Sequence, residues 1–220
     1  RCHLAMGRWH LRRGEFTTAE SHLRKSIQRL TLRNPNPCDG EALYQLGRCL
    51  RLLGRDNEAY DAFYKATWNQ AWTGAAYHRL AEIDCSRGDF TTACDHLARS
   101  LKLGADNLKA RDLLAMARRR LGHDVSADLA ETLALDPLDP WARWLTDEGF
   151  SGDSQIRLDL ALDLSQAGFL GEALDVLKDA QAEPLSGTAP LIHYYRGWIL
   201  GLSGKSGAKE FAAGARANVD

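Results

Sequence analysis

The sequence predicts an all-α fold: a solenoid of about six helical hairpins, with an insertion between the fourth and the fifth. Three observations predict it. Leu46-Gly47, Gly54, Ala59, Phe63 and Ala66 are answered by Leu80-Ala81, Gly88, Ala93, Leu97 and Ser100, and Gly54 and Gly88 stand 34 residues apart. A period of that length with small and large residues alternating is the signature of helix–turn–helix repeats. The segment GEFTTAESHLRKS (14–26) matches GDFTTACDHLARS (88–100) at its Gly, Phe, both Thr, Ala, His, Leu and Ser. Clusters of Pro, Asn, Gly and Ser separate the periodic stretches, as links between helices do.

Hairpin one runs from Arg1 to about Thr31, with Met6-Gly7 before a turn at Gly14 and Phe16, Ala19, Leu23 and Ser26 after it. A tight turn between helices asks for a positive φ, which glycine adopts without strain. Ala19 and Ala93 let two helices approach closely, and Phe16 and Phe90 plug the gap at their turns. The loop RNPNPCDG (33–40) follows and absorbs six residues beyond the period, since Gly14 and Gly54 are 40 apart. Hairpins two and three occupy 41–103. Hairpin four turns at Gly122, 34 residues after Gly88, and ends in DPLDP (136–140), where proline stops a helix. Gly122 and Gly168 are 46 apart, twelve over the period. The excess falls at 139–153 and includes WARWLTDEGF (141–150), read as a short amphipathic helix and a turn. It joins two sub-arrays, 1–138 and 154–220. Hairpin five, 154–182, turns at Gly168; after the loop EPLSGTAP (183–190), hairpin six turns at Gly204.

Composition narrows the function classes. The net charge of −1 provides no whole-chain field for nucleic acid or acidic membranes. No apolar run approaches the roughly 18–20 residues needed to cross a bilayer. The five cysteines lack paired spacing, which fits free thiols in a reducing cytoplasm better than a disulfide framework. The start lacks a methionine and a signal-peptide pattern, so the chain reads as a piece of a longer protein.

These residues resemble the tetratricopeptide repeat family. Leu46-Gly47, Gly54, Ala59, Phe63 and Ala66 fall where that pattern has its Leu-Gly, turn Gly, Ala, aromatic and Ala. The resemblance covers nearly the whole chain, most specifically hairpins one to three and five. Arg196 departs from the pattern's Leu, and most hairpins lack its late Pro. The resemblance implies a right-handed superhelix whose concave groove, lined by the first helix of each hairpin, binds peptides or other domains. The stretch PLIHYYRGWILGLSGKSGAKEF (190–211) also resembles the repeat region of bacterial multidomain proteins that carry a β-rich domain similar to sugar mutarotases.

Helical spacing marks the groove positions. If Leu46, Gly47 and Leu50 pack between helices, Tyr44, Arg48 and Arg51 face the groove. The same offsets pick Leu4, Arg8 and Leu11; His78, Glu82 and Cys85, with Arg79 beside them; Asp112, Met116 and Arg119; and Tyr194 and Trp198. Arginine pairs well with carboxylates and stacks on aromatics. Two readings stay open: a groove for an acidic or C-terminal-carboxylate peptide built on Arg8, Tyr44, Arg48, Arg51, His78, Arg79, Asp112 and Arg119, or solvated arginines paired with neighbouring acids. The Lys/Asn pattern of the family's chaperone-tail clamp is absent at these offsets.

Sites of chemistry are weaker. Cys85, Cys94 and His96 suggest zinc, but Cys94 and His96 point to different sides of a helix and His96 recurs as His22, which reads as packing. GLSGKSGA (201–208) has Ile199 where a phosphate-cradling loop needs glycine, and no strand precedes it. Asp159 and Asp163, and Asp175 and Asp179, are spaced as solvated helix faces commonly are. Trp68, Trp72, Trp141, Trp144 and Trp198 fill gaps between hairpins or serve a partner. The sequence thus predicts a non-catalytic scaffold without cofactor or metal, whose partner is a protein, a peptide or another domain. The alternative is an auxiliary arm of a carbohydrate-active enzyme.

Overall fold

A glycine closes every hairpin, and the same backbone joint recurs at each one. The computed structural model describes residues 2–32, 34, 39–146, 153–181 and 187–217. At Gly54, where φ is +72°, the Gly54 N–H donates to the Arg51 carbonyl and the Arg55 N–H reaches back to the Leu50 carbonyl at 2.9 Å. That five-residue reach is the Schellman closure of a helix end. It recurs as Glu15 to His10, Asp89 to Asp84, His123 to Arg118, Phe169 to Leu164 and Lys205 to Leu200.

Thirteen helices and no strand occur among the described residues. Helices α1 (Cys2–Arg12) and α2 (Phe16–Thr31) form hairpin one, α3 (Glu41–Leu52) and α4 (Asp56–Ala66) hairpin two, and α5 (Gln70–Ser86) and α6 (Phe90–Leu101) hairpin three. Then come α7 (Leu108–Arg120), α8 (Ser126–Leu135), α9 (Pro140–Leu145), α10 (Ser154–Gln166), α11 (Leu170–Lys178), α12 (Thr188–Leu202) and α13 (Ala208–Gly214). The helix expected at 141–150 is α9; residues 147–152, most of the loop 33–40, and 182–186 lie outside the described residues.

The chain divides into two compact units, residues 1–83 with 91–110, and residues 84–90 with 111–220. The insertion expected as a joint at 139–153 falls inside the second. In the first unit, a Cβ on Gly47 would lie 2.6 Å from the Phe63 ring, so the small residue is what lets α3 and α4 close on Phe63. Ala19, Leu23, Ala59, Phe63, Ala66, Leu80, Ala93 and Leu97 are fully enclosed. Their burial removes water from apolar surface at roughly 25 cal/mol per Å². Across hairpins one and two, Arg55 pairs with Glu20 and Glu58, each at 2.7 Å, and Arg24 bridges Glu20 and Glu58.

In the second unit, residues 112–117 of α7 are all buried. A helix enclosed at six consecutive positions is covered on every side. The Gly168 turn packs on the 84–90 turn: a Cβ on Gly168 would sit 2.6 Å from Ser86 Cα. Beside it Phe90 and Phe169 stack at 6.2 Å. Arg120 lies over the Phe169 ring and pairs with Glu172. The two phenylalanines expected to plug turns therefore act differently. Phe90 stacks on a ring, whereas Phe16 is half-buried and its carbonyl accepts from the Cys49 thiol at 3.2 Å.

Candidate groove site

In hairpins one to three the small residue of the first helix turns toward its partner helix, and the next residue, about 100° further round, turns away. Those next residues are Arg8, Arg48 and Glu82. Arg8 is exposed and pairs with Glu41 at 2.9 Å. Arg48 is exposed and donates to the Gln45 side-chain oxygen at 3.2 Å; among the described residues it makes no ion pair. Glu82 is 6% exposed.

Around Glu82 the first unit gathers a polar cluster. Arg79 Nη1 donates to Glu82 Oε1 at 2.6 Å, and His78 Nε2 lies 3.3 Å from the same oxygen. Arg79 Nε donates to the Tyr44 hydroxyl at 3.4 Å. The Tyr44 ring lies 4.8 Å from that of Trp72 and 5.6 Å from that of Phe63. Burial alone would raise the Glu82 carboxyl, but Arg79 and His78 outweigh it and hold it near 2. Burial likewise disfavours the Arg79 charge, and Glu82 more than offsets that, so its pKa rises. The buried Nδ1 of His78 has no hydrogen-bond partner among the described residues. Elsewhere in this unit, Arg51 pairs with Asp56 at 3.2 Å. An open recess of about 370 Å³ lies between α2, α3 and α4, floored by Leu43, Leu46, Leu50 and Ala62.

The expected groove positions therefore separate into kinds. Arg8 and Arg48 stand in solvent; Arg51, His78 and Arg79 are half-buried. Tyr44, at 9% exposure, faces the next hairpin's Trp72 rather than an open channel. In the second unit Asp112 and Met116 are 1% and 4% exposed, so neither lines an open surface. Arg119 is exposed and donates to the Leu145 carbonyl at 3.0 Å. Tyr194 and Trp198, about 40% exposed, occupy the corresponding face of α12. The Arg79–Glu82 partnership was present in the sequence as an i, i+3 spacing; the Tyr44 hydroxyl as its third member was not.

His96 stacks on Tyr77 at 5.4 Å, and its counterpart His22 stacks on His10 at 5.3 Å with Nδ1 3.1 Å from that of His3. Both recurrent histidines thus pack on rings. No group of three His, Cys, Asp or Glu placed to hold a metal occurs among the described residues.

Comparison with known proteins agrees with this geometry. The tetratricopeptide repeat profile matches residues 41–69, hairpin two and the link after it. The crystal structure of MamA is 19% identical, with a TM-score of 0.53, over 79% of this chain and 91% of MamA. PilF of Pseudomonas aeruginosa is 12% identical with a TM-score of 0.54, over 97% of this chain and 87% of PilF. In the APC/C hetero-tetramer Cut9–Hcn1 the matched chain is 15% identical with a TM-score of 0.54; the match covers 99% of this chain and 40% of that one. Taken with the glycine-closed hairpins, these likenesses establish the fold as that of tetratricopeptide-type helical repeats.

Proposed function

We propose that this protein is a non-catalytic protein-interaction scaffold, and that the first-helix face of hairpins one to three binds an extended peptide carrying an acidic side chain or a terminal carboxylate. The observation that carries this reading is Arg48. It is exposed, makes no ion pair among the described residues, and lies one helical turn from the Tyr44–Trp72 stack. A guanidinium in that setting offers a two-pronged donor to a carboxylate beside an aromatic surface. Arg8 on α1 and Arg51 on α3 exchange their present partners, Glu41 and Asp56, for the ligand. One neighbour of this fold was solved as a hetero-tetramer, which accords with a role in assembly.

No helix among the described residues is long and apolar enough to cross a membrane. Among the described residues Cys2, Cys49, Cys85 and Cys94 form no disulfide, and we infer a reducing compartment, the bacterial cytoplasm. The second reading, an auxiliary arm of a carbohydrate-active enzyme, rests on the 190–211 resemblance alone.

Fluorescence anisotropy with labelled acidic and neutral peptide pools tests the proposal. Arg48→Glu with Arg51→Glu should weaken acidic-peptide binding at least tenfold, and binding should weaken as salt rises. Equal binding by wild type and variant would remove the arginine face from the function.

A further inference from the structure

Hairpin one gathers three half-buried histidines where its two helices meet. His3 of α1 and His22 of α2 face each other through their Nδ1 atoms at 3.1 Å, and the His10 ring stacks on His22 at 5.3 Å. His10 Nδ1 is 2.5 Å from Glu15 Oε2 on the turn. An imidazole nitrogen donates when it carries a proton and accepts only when it does not. The His3–His22 bond therefore survives with one of its rings charged and fails with both.

No acid stands ready to match a second charge. Helix α1 carries no acidic residue, and α2 carries only Glu20, which is held by Arg24 and Arg55. Glu15 pairs with His10 and Arg13. The only acid of α3, which packs on both helices, is Glu41, and it pairs with Arg8. The charges acting on His3 are instead Arg29, His22 and Lys25 of α2 and, least, the chain's amino group. His22, Lys25 and Arg29 share one face of α2 at i, i+3 and i+7. Burial first, then Arg29 and His22, hold His3 below its ordinary 6.5. A lowered histidine stabilises the fold above its unfolded value, and that stabilisation is lost as pH falls through the folded value.

Hairpin three fills the same positions with different chemistry. Counted from the turn glycine, His3 corresponds to Tyr77, His22 to His96 and Lys25 to Arg99. Tyr77 stacks on His96 at 5.4 Å, and Arg99 lies over the Tyr77 ring at 5.5 Å. A phenol ring stays neutral in acid and attracts a cation above its face, so this contact tolerates a charged histidine.

We propose that the His3–His22 contact is an acid-sensitive clasp of hairpin one: double protonation sets two unmatched cations side by side and parts α1 from α2, while hairpin three stays closed. Because α1 carries Arg8, acid also withdraws that residue from the peptide face; this consequence alone rests on the proposed binding function.

Hydrogen exchange of the full chain, followed by mass spectrometry and corrected for the intrinsic pH dependence of exchange, tests the clasp without any peptide. Between about pH 7.5 and about pH 5, where histidine takes up its proton, exchange in α1 should accelerate at least about tenfold and exchange in α5 should not. His3→Tyr installs the hairpin-three pair and should hold α1 at its neutral-pH protection. His22→Gln leaves only one member of the pair and should do the same; it serves if His3→Tyr fails to fold. Equal protection of α1 at both pH values in wild type, equal acceleration of α1 and α5, or acceleration that persists in either folded variant would overturn the clasp.

Discussion

Glu82 and Asp112 are both buried acids on first helices, yet their surroundings drive them in opposite directions. Glu82 has Arg79 and His78 against it and is held near 2, below its ordinary 4.5. A depressed carboxyl stabilises the fold above its unfolded value, and that stabilisation is lost as pH falls through 2. Wild type should therefore lose more stability between pH 5 and pH 2 than Glu82→Gln does, as read by urea denaturation. At pH 7 the same variant should cost about 3 kcal/mol, because it leaves the Arg79 charge poorly compensated. Asp112 is raised from 3.8 to about 9. Its contribution is complete below 3.8 and fades as pH rises toward 9, so Asp112→Asn should flatten the fall in stability from pH 5 to pH 9. An unchanged slope in calorimetric melts would contradict the protonated state of Asp112. The chain shows Arg79 and His78 at helical spacing from Glu82, but not what either acid's surroundings draw from elsewhere in the fold. Arg79 reaches a hydroxyl 35 residues away, and Asp112 meets an acid 27 residues away. Periodicity assigns each residue a face without saying what lies opposite.

At the scale of the hairpin the sequence was far more legible. Each turn glycine expected from the period has positive φ, and each carries the same five-residue backbone bond. The turns are not equal in their surroundings, however. Around Gly54 a Cβ would meet open space, so Gly54→Ala should cost only the left-handed backbone penalty, about 1–2 kcal/mol. Gly168 carries the same penalty and also presses on Ser86, so Gly168→Ala should cost distinctly more. Equal shifts in denaturation midpoint for the two variants would show that the Ser86 contact is dispensable. Ala93, fully enclosed, tests the helix pairing: Ala93→Asp buries an unpaired charge and should cost several kcal/mol. The helix α9 was expected from WARWL, but the unbroken burial of residues 112–117 of α7 was not. Burial on every side depends on neighbours distant in the chain, whereas a helical period describes one helix at a time.

Over the whole molecule, hairpin three belongs to both compact units. Its turn, 84–90, is counted with the second, and most of its two helices with the first. Phe90→Ala removes the ring under Phe169 and should raise hydrogen exchange in α10 and α11 while leaving α3 and α4 unchanged. Uniform acceleration throughout would mean that the units do not open separately. The departures from the 34-residue period share a further property. The longer spacings, 40 and 46 residues, arise in the links between hairpins, while every glycine joint keeps its form. A gene segment encoding one joint and its two flanking helices is therefore a self-contained cassette. Copied or deleted in frame, it changes the number of hairpins and leaves the remaining joints as they were.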